Sequence, residues 1–315
     1  MKAVLQFRAG SEFRRQLESV GPPWLRVHVV DERDTATFLA EMAEAEVLLH
    51  VLEPVTDAVI ARSPLLQLIQ KIGVGVNTID LDAAGRRGIR VANMPGTNSQ
   101  AVAEHTLALM LATLRRVVEL HQATVDGRSP EISADFFDRV GEISGRTIGL
   151  VGYGDVPRLL APVLVALGAR VIYASRTPKE FAFGERRTLG ELLAAADIVS
   201  LHVPAQPGVP PLLGADAIRQ MKPGSILINT ARGSLVDEIA LAAALREGHL
   251  CAAGLDVLAN EPARATDPLL ALPNVVATPH IGWLTPETLA RSLAVAVENC
   301  RRLRDGDALL HQVTG

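Results

Sequence analysis

The chain has 315 residues, a formal net charge of −4 and 48% hydrophobic residues, a length that suggests about two domains with sizeable cores. The slightly acidic balance and the 3% of aromatic residues argue against nucleic-acid binding, which needs clustered cations or stacking rings.

The N-terminal segment and the cysteines bear on location. The opening MKAVLQFRAG contains a short apolar run that Arg8 interrupts, unlike a secretory signal. No apolar run approaches the roughly 18 residues of a membrane span. Cys251 and Cys300 lie too far apart for a metal or redox motif. We therefore expect a cytoplasmic protein that binds no metal, membrane or nucleic acid.

Short apolar runs alternate with helical patterns along the whole chain. The first third contains AVLQF, LRVHVV, VLLHV, LLQLIQKIG and IRVAN. Later come RTIGLVG, ARVIYAS, DIVSLHV, SILINT, CAAGLDV and NVVAT. Strands that alternate with helices predict an α/β fold with parallel sheets. The later runs match a doubly wound nucleotide-binding sheet.

The segment 98–125 predicts a helix of a different kind. Thr97 and Gln100 are a plausible capping pair before it, and positions 101 to 114 are apolar on nearly every face. A helix that is apolar all round has to be buried. The pattern is compatible with burial between domains or subunits and equally with an ordinary core helix.

A glycine-rich turn lies between the run RTIGLVG and the helical pattern RLLAPVLVALG. It reads GYGDVP, which matches the dinucleotide-binding pattern G-x-G-x-x-G except that Pro157 replaces the third glycine. Gly152 permits the tight turn, and Gly154 lets the backbone approach a pyrophosphate. The amides of Asp155 and Val156 would then face the phosphates. Because a proline is tolerated in the first helical turn, we predict that this turn still binds a cofactor.

The end of the following strand bears on the type of dinucleotide. About 20 residues after the turn, NAD-binding folds carry an acidic residue that holds the ribose hydroxyls. Here the sequence is VIYASRTPK, with Ser175 at that place, followed by Arg176 and Thr177. Two hydroxyls and the cations Arg176 and Lys179 suit a 2′-phosphate. The segment predicts a preference for NADP(H) over NAD(H), with a solvated loop as the alternative.

Three later segments place reactive residues directly after buried strands. NTARGSLVDE contains Arg232, GLDVLANEP contains Asp256 and Glu261, and ATPHIGW contains His280. Ligands of open α/β sheets bind at the carboxyl ends of the strands, so we expect these side chains to converge. Taken singly, each has an ordinary explanation: a surface arginine, a helix-capping glutamate or a hydrogen-bonded histidine.

Together these segments closely resemble the NAD(P)-dependent D-2-hydroxyacid dehydrogenase family. The resemblance extends from about residue 45 to 300 and includes KIGVGVNTIDLDAAGRRGIRVANMPGTNSQAVAEHTLALML, MKPGSILINTARGSLVDE, GLDVLANEP and LPNVVATPHIG. It implies two doubly wound parallel-sheet domains: a flavodoxin-like substrate domain (1–95 with 285–315) and an inserted Rossmann nucleotide-binding domain (96–284). It also implies a homodimer joined largely through the 98–125 helix.

The resemblance further implies roles for individual residues. Arg232 should bind the carboxylate and C2 carbonyl of a 2-oxoacid as a bidentate donor, and the amides of Val74 and Gly75 should bind the same carboxylate. His280 should be the general acid in reduction and the base in the reverse direction, since imidazole titrates near working pH. Glu261 should orient His280 and favour its protonated form. A larger set, whose last two members would face the nicotinamide, is expected to contact the cofactor: Gly152, Tyr153, Gly154, Asp155, Val156, Ser175, Arg176, Thr177, His202, Thr230, Ala231, Asp256 and Gly282.

Some residues depart from the family pattern. Asp155 places a carboxylate near the pyrophosphate amides and would weaken cofactor binding if it pointed inward. Trp283 is bulky for the position after His-Ile-Gly and is expected to narrow the substrate mouth. Lys71 precedes the carboxylate-binding loop, where it would meet a second anionic group of the substrate or be an ordinary solvated lysine.

We therefore expect an oxidoreductase that transfers a hydride between NADP(H), or secondarily NAD(H), and a small 2-oxoacid or D-2-hydroxyacid. Glyoxylate and hydroxypyruvate are the candidates for reduction. One alternative is a cofactor-sensing, corepressor-like binding protein, although the presence of Arg232, Glu261 and His280 favours the enzyme. The other is a paralogue that acts on phosphoglycerate with NAD, or on phosphite. Phosphoglycerate would need more cations near the carboxylate loop than Lys71 alone.

Overall fold

Each apolar run predicted as a strand coincides with a strand of the protein, and helices lie between these strands. The computed structural model describes residues 1–128, 131–180, 182–206 and 208–314. The chain divides into two units, Met1–Asn98 with Leu284–Gly315 and Ser99–Trp283, and each unit has its own sheet. The predicted α/β fold class is confirmed. Within the described ranges we find no helix with the length and hydropathy of a membrane span.

The first unit is formed by both ends of the chain. Its strands are β1 Lys2–Gln6, β2 Arg26–Val30, β3 Val47–His50, β4 Leu68–Lys71, β5 Arg90–Ala92 and β13 Gln312–Thr314. Its helices are α1 Ser11–Val20, α2 Thr35–Met42, α3 Asp57–Ala61, α4 Leu81–Arg86 and α12 Pro286–Asp305. The strand order is β13-β5-β4-β3-β1-β2. These strands pair in parallel, except that β13 runs antiparallel to β5, which the sequence analysis does not predict.

The central strands of this unit are apolar because both faces of a parallel sheet are covered. Ala3, Val4 and Leu5 of β1 have no exposed surface. Helix α4 begins where the carboxylate of Asp80 accepts the amide of Ala83 at 2.8 Å, a typical N-cap contact. The loop between β4 and α4 follows the carboxyl end of β4, which is the edge where such sheets bind ligands.

The second unit is built on a longer parallel sheet. Its strands are β6 Thr147–Val151, β7 Arg170–Ala174, β8 Glu185–Arg186, β9 Ile198–Leu201, β10 Ser225–Asn229, β11 Leu250–Leu255 and β12 Val275–Ala277. Its helices are α5 Ser99–Leu114, α6 Val117–Val125, α7 Ala134–Phe137, α8 Asp155–Ala166, α9 Leu189–Ala195, α10 Ala215–Gln220 and α11 Glu238–Arg246, with a 3₁₀ turn at Gly233–Leu235. The strand order is β12-β11-β10-β9-β6-β7-β8. The short edge strand β8 is missing from the sequence prediction.

The strand order reverses beside β6. The chain runs outward from β6 through β7 to β8 and then crosses to β9 on the other side of β6. Such a reversal opens a crevice at the carboxyl ends of the two strands that flank it, and doubly wound folds bind their ligands there. The glycine turn follows β6 and His202 follows β9, so both lie at this reversal.

The prediction of a single helix over 98–125 is wrong. Helix α5 ends at Leu114 and α6 begins at Val117. Between them Arg116 has a left-handed backbone with φ 53°, which no residue inside a right-handed helix adopts. Within the second unit, α5 packs on β11 as a core helix. A Cβ placed on Gly254 of β11 would lie only 3.2 Å from the Cβ of Leu109.

The predicted capping pair before α5 is also wrong. The hydroxyl of Thr97 donates backwards to the Met94 carbonyl at 3.0 Å. The side-chain amide of Gln100 donates forwards to the carboxylate of Glu104 at 2.6 Å, one helical turn away. The two side chains therefore have other partners, and the turn before α5 is closed differently from a capping box.

Candidate active site

Three strands that lie side by side in the second unit end in the segments singled out from the sequence. β10, β11 and β12 are neighbours in the sheet. They lead into Arg232, Asp256 and His280 respectively, and Glu261 follows on the loop after β11. Because parallel neighbours end at the same edge of a sheet, the fold delivers these residues to one place.

His280 and Glu261 form a direct pair. The distance from His280 Nδ1 to Glu261 Oε2 is 2.7 Å, and the other carboxylate oxygen accepts the amide of Leu258 at 3.0 Å. Burial raises the pKa of Glu261, but the hydrogen bonds from His280 and Leu258 and the charge of Arg232 outweigh burial and hold this pKa below its usual value. An ionised carboxylate only accepts hydrogen bonds. Nδ1 of His280 is therefore the donor, and Nε2 is left for proton exchange.

The backbone of His280 has an unusual conformation. Its φ is 54°, a left-handed geometry that is unfavourable by on the order of 1 kcal/mol for a non-glycine residue. Two hydrogen bonds hold it: the His280 amide donates to the Asp256 carbonyl at 2.7 Å, and the Trp283 indole donates to the His280 carbonyl at 3.1 Å. Trp283, expected at the substrate mouth, thus helps to close the turn that carries His280.

Asp256 is almost fully buried, with 2% of its surface exposed. Its carboxylate accepts the Thr278 hydroxyl at 2.6 Å and the amides of Ile281 and Gly282 at 3.0 and 2.9 Å. His105 Nε2 lies 3.3 Å away. Burial raises the pKa of Asp256, but the hydrogen bonds, first of all that from His105, lower it below its usual value. The carboxylate thus ties the loop around His280 to the end of β11.

The loop around His280 needs a glycine at position 282. A Cβ at Gly282 would lie 2.8 Å from Asp256 Oδ2 and 3.1 Å from the ring of His105. Both distances are shorter than ordinary van der Waals contact, so a larger residue would push the loop away from the carboxylate. The close approach that Gly282 allows is the one that lets its amide reach Asp256.

The turn after β10 places Arg232 against the loop that contains Glu261. The side chain of the buried Asn229 accepts the amide of Ala231 at 3.0 Å and donates to the carbonyl of Arg232 at 2.9 Å. A Cβ on Gly233 would lie 2.0 Å from the carbonyl carbon of Leu258. Only glycine permits this contact, and Leu258 is the residue whose amide binds Glu261.

The guanidinium of Arg232 is partly buried and mostly uncommitted. Burial lowers the pKa of Arg232, while the charge of Glu261 opposes the shift; an arginine remains charged in either case. Among the described residues, the guanidinium has one acceptor, the Ala231 carbonyl at 2.6 Å. Most of its five N–H donors are therefore available to an anion.

The glycine turn has the geometry that a dinucleotide requires. Gly152 has φ 97°, and a Cβ on it would lie 2.4 Å from the carbonyl oxygen of His202, so only glycine fits there. A Cβ on Gly154 would meet nothing within 4 Å, which leaves open space over the start of α8. Pro157 is the third residue of that helix and is buried, whereas Asp155 is exposed. The free amides at this helix start suit a pyrophosphate.

The segment after β7 presents an exposed loop. Ser175 uses its hydroxyl hydrogen to bond the Thr177 carbonyl at 2.6 Å, so the hydroxyl has no further hydrogen to donate. Arg176 and Thr177 are exposed. Tyr153, in the glycine turn, is buried, and its hydroxyl accepts the amide of Phe183 at 2.7 Å. The Tyr153 side chain therefore supports the structure behind the loop, and only its backbone belongs to the turn.

The other residues expected near the cofactor lie at the ends of β9 and β10. His202 Nε2 is 2.9 Å from the Ser200 hydroxyl, and burial lowers the pKa of His202 to about 3, so the ring is neutral. The hydroxyls of Thr230 and Thr106 are 2.8 Å apart. Ala231 lies in the Asn229 turn described above.

In the first unit, the loop after β4 contains the expected carboxylate-binding amides. The carbonyl of Val74 accepts the side-chain amide of Asn93 at 2.9 Å. Within the described part of the chain, the amides of Val74 and Gly75 have no hydrogen-bond acceptor. Lys71 is buried, and its ammonium group donates to the carbonyl of Val51. Lys71 is therefore not an ordinary solvated lysine.

Comparison with known proteins identifies the family. Residues 107–282 match the family model described as "D-isomer specific 2-hydroxyacid dehydrogenase, NAD binding domain". The chain belongs to the D-isomer specific 2-hydroxyacid dehydrogenase family. The resemblance predicted from the sequence is confirmed, and the second unit carries the nicotinamide-cofactor domain of the family.

Individual relatives of this chain have different names. The chain is 40% identical over 289 residues to D-3-phosphoglycerate dehydrogenase of Mycobacterium leprae, covering 90% of this chain and 54% of the relative. It therefore spans about half the length of that relative. Glyoxylate reductase of Aeropyrum pernix is 38% identical over 271 residues, with 84% and 81% coverage. The crystal structure of the TT0316 protein from Thermus thermophilus superposes with a TM-score of 0.88 at 39% identity and 100% coverage of both chains.

Three residues that shape the site in the second unit are missing from the sequence analysis. Asn229 shapes the Arg232 turn, Gly233 lets that turn approach the Glu261 loop, and His105 contacts both Asp256 and Thr278. The first two are adjacent to Arg232 in the quoted segment, and a glycine after the arginine is a visible signal of close backbone approach. His105 comes from α5, far away in sequence, and no local pattern points to it.

Proposed function

We propose that this protein catalyses hydride transfer between a nicotinamide cofactor and a small 2-oxoacid, with glyoxylate or hydroxypyruvate as the substrate reduced. The observation that supports the proposal most strongly is the distance of 2.7 Å between His280 Nδ1 and Glu261 Oε2. His280 follows β12, which lies next to β11, the strand that leads to Asp256. An oriented imidazole can protonate the 2-oxo group of a 2-oxoacid, and an uncommitted arginine can bind its carboxylate.

The residues divide the reaction between them. When bound, a nicotinamide cofactor supplies the hydride for reduction and accepts it in the reverse direction. Arg232 binds the substrate carboxylate through donors that have no acceptor among the described residues. His280 Nε2 donates a proton to the carbonyl oxygen during reduction and removes it from the hydroxyl during oxidation. Glu261 stabilises the protonated ring in reduction.

We assign residues 1–95 with 285–315 to the substrate and residues 96–284 to the cofactor. In the first unit, the amides of Val74 and Gly75 are proposed to bind the substrate carboxylate, since they have no acceptor among the described residues. In the second unit, the open space over Gly154 and the start of α8 support pyrophosphate binding. Asp256 is proposed to act from behind the His280 loop, because its carboxylate is already occupied by that loop.

A preference for NADP(H) is part of the proposal. Ser175 stands at the place where NAD-binding folds carry an acidic residue for the ribose hydroxyls, and Arg176 beside it is exposed. A charge-assisted hydrogen bond contributes roughly 1.5–3 kcal/mol, so one such contact discriminates about tenfold against NADH. The double variant Ser175→Asp with Arg176→Ala should reverse the preference, because a carboxylate repels the phosphate and accepts the ribose hydroxyls. A wild-type protein that binds NADH as tightly as NADPH would contradict the preference.

The activity is tested with a panel of 2-oxoacids and both reduced cofactors, followed by nicotinamide absorbance. We expect turnover of glyoxylate or hydroxypyruvate, and a loss on the order of 10²–10⁴ in His280→Ala with cofactor affinity nearly unchanged. Cofactor binding without reduction of any 2-oxoacid would favour the cofactor-sensing alternative. Near-wild-type turnover in His280→Ala would refute the assignment of the acid.

A second candidate is a phosphoglycerate-type dehydrogenase, favoured by the 40% identity to the Mycobacterium leprae relative. Lys71 is the cation nearest in sequence to the Val74 loop, and its ammonium group is directed to the Val51 carbonyl. We therefore rank this candidate below glyoxylate or hydroxypyruvate reduction. Oxidation of 3-phosphoglycerate at a rate above that of D-glycerate would reverse the ranking, because only the phosphate distinguishes the two substrates.

We also propose a homodimer joined through the two helices of 98–125. Leu111, Val117, Val118 and Val125 are 38 to 66% exposed in the single chain, and apolar side chains grouped in this way are typical of an interface. Light scattering should give twice the mass of the chain, and Val118→Asp should reduce the mass to that of a monomer. A monomeric wild-type protein would refute the proposal.

A further inference from the structure

The edge strand β8 places an arginine behind the loop that follows β7. Arg186 pairs with Tyr173 in the parallel register of β8 and β7. Its Nε and Nη2 atoms donate to the carbonyl of Ser175 at 3.2 and 3.0 Å, and Nη2 also donates to the carbonyl of Arg176 at 3.1 Å. One guanidinium thus holds two consecutive carbonyls of the loop.

These contacts determine where the amides of the loop point. In a trans peptide the C=O of one residue and the N–H of the next point in opposite directions. Since the carbonyls of Ser175 and Arg176 face Arg186, the amides of Arg176 and Thr177 face away from it. Neither amide has an acceptor within the described part of the chain. Two successive free amides form a small concave site that attracts anions.

The side chains of the loop add to this site. Arg176 is exposed, and among the described residues its guanidinium has no partner. Ser175 bonds the Thr177 carbonyl at 2.6 Å, which further fixes the turn. The loop therefore offers an anion two oriented amides and the exposed cation Arg176, while Arg186 lies on the opposite side of the loop backbone.

We propose that Arg186 is a positioning residue that gives the loop after β7 its selectivity for the 2′-phosphate of NADP(H). It acts by turning the amides of Arg176 and Thr177 towards the ligand. This inference rests on the NADP preference proposed above, and it adds a residue outside the loop itself. Without Arg186, the two carbonyls lose their donor and the peptides are free to rotate, so the amides no longer converge.

The neighbouring arginine supplies a matched control. Arg187 pairs with Glu185 at 2.8 Å, and its guanidinium has no contact with the loop among the described residues. Arg186→Ala and Arg187→Ala change the net charge by the same amount at adjacent positions. An effect due to overall positive charge would appear in both variants, whereas an effect due to the carbonyl contacts would appear only in the first.

The test uses binding of cofactor fragments by calorimetry, with the full chain and without turnover. Adenosine 2′,5′-bisphosphate carries the 2′-phosphate and AMP lacks it, so the ratio of their Kd values reports recognition of this group alone. We expect Arg186→Ala to weaken bisphosphate binding about tenfold and to leave AMP binding within about twofold. Arg187→Ala should leave both affinities within about twofold of wild type.

A lysine variant separates positioning from charge. Arg186→Lys keeps the charge but lacks the planar fork that reaches both carbonyls, so we expect its Kd ratio to resemble that of Arg186→Ala. A wild-type ratio in Arg186→Ala or Arg186→Lys, or an equal loss in Arg187→Ala, would overturn the role of Arg186. A wild-type chain that binds AMP as tightly as the bisphosphate would instead contradict the NADP preference. Circular dichroism of each variant identifies any loss that is due to unfolding.

Discussion

Replacing Glu261 with glutamine removes the charge of the carboxylate that contacts His280, while the size of the side chain hardly changes. The bond from His280 Nδ1 to Glu261 Oε2 is 2.7 Å long, and a charge-assisted bond contributes roughly 1.5–3 kcal/mol. The Glu261 side chain is 35% exposed, so solvent screening favours the lower end of that range. A loss of about 1.4 kcal/mol in the transition state corresponds to about a tenfold lower rate.

The direction of the effect follows from the charges. In oxidation His280 takes up the proton of the substrate hydroxyl, so its ring becomes positively charged. The carboxylate of Glu261 stabilises the protonated ring. Glu261→Gln should therefore lower kcat/KM for oxidation about tenfold. In reduction kcat/KM should fall by the same factor, because the variant cannot change the equilibrium constant of the reaction.

The assay is kcat/KM for wild type and variant at one pH, followed by nicotinamide absorbance in both directions. Glu238 provides the control, because its carboxylate accepts the amide of Ala259 at 2.7 Å on the same loop and does not contact His280. Glu238→Gln should leave kcat/KM within about twofold of wild type in both directions. An unchanged kcat/KM in Glu261→Gln, or an equal loss in Glu238→Gln, would refute the reasoning.

Three other substitutions probe substrate binding by Arg232, the hydrogen bonds of Asp256 and the proline of the glycine turn. Arg232→Lys keeps the charge but loses the bidentate fork, and it should lower kcat/KM towards every 2-oxoacid; a loss confined to one substrate would place Arg232 at the substrate side chain. Asp256→Asn should lower the free energy of unfolding by about 2 kcal/mol at neutral pH, because buried donors lose their charged acceptor. The folded-state pKa of Asp256 is depressed, so this contribution is present above the unfolded value of about 3.9 and is lost as the pH falls through the folded value. Urea unfolding at several pH values should show the difference between the proteins closing in acid; a constant difference would contradict the prediction. Pro157→Gly should change the Kd values of NADPH and NADH by the same factor, since the position serves only the shared pyrophosphate, and unequal changes in a fluorescence titration would refute this.

The sequence is sufficient to predict the strands because parallel strands covered on both faces have to be apolar. SILINT and CAAGLDV, for example, coincide with β10 and β11. The same reasoning fails for β8 and β13, which have two and three residues. Neither strand contains a run of apolar residues, so neither leaves a hydrophobic pattern to detect.

The prediction of a single helix over 98–125 fails for a related reason. Composition indicates that it is helical and apolar, but the break at Arg116 carries no proline or glycine signal. The left-handed residue is an arginine with 6% exposure, and arginine is not a residue type that indicates this conformation. Likewise, nothing near Asp256 in sequence indicates that His105 of α5 contacts it.

The reactive residues of the second unit are linked through backbone atoms as well as through side chains. The Arg232 turn reaches the Glu261 loop because Gly233 has no Cβ against Leu258. That loop holds Glu261 through the Leu258 amide.

The loop that contains His280 is joined to the end of β11 in the same way, since the Asp256 carbonyl accepts the amide of His280. A displacement of any one of these loops would therefore move the other two, and a site that acts by orientation gains from such coupling because small misplacements reduce the rate steeply. This coupling gives a physical reason why the arginine, glutamate and histidine segments occur together in one chain, each with its own glycine or aspartate close by.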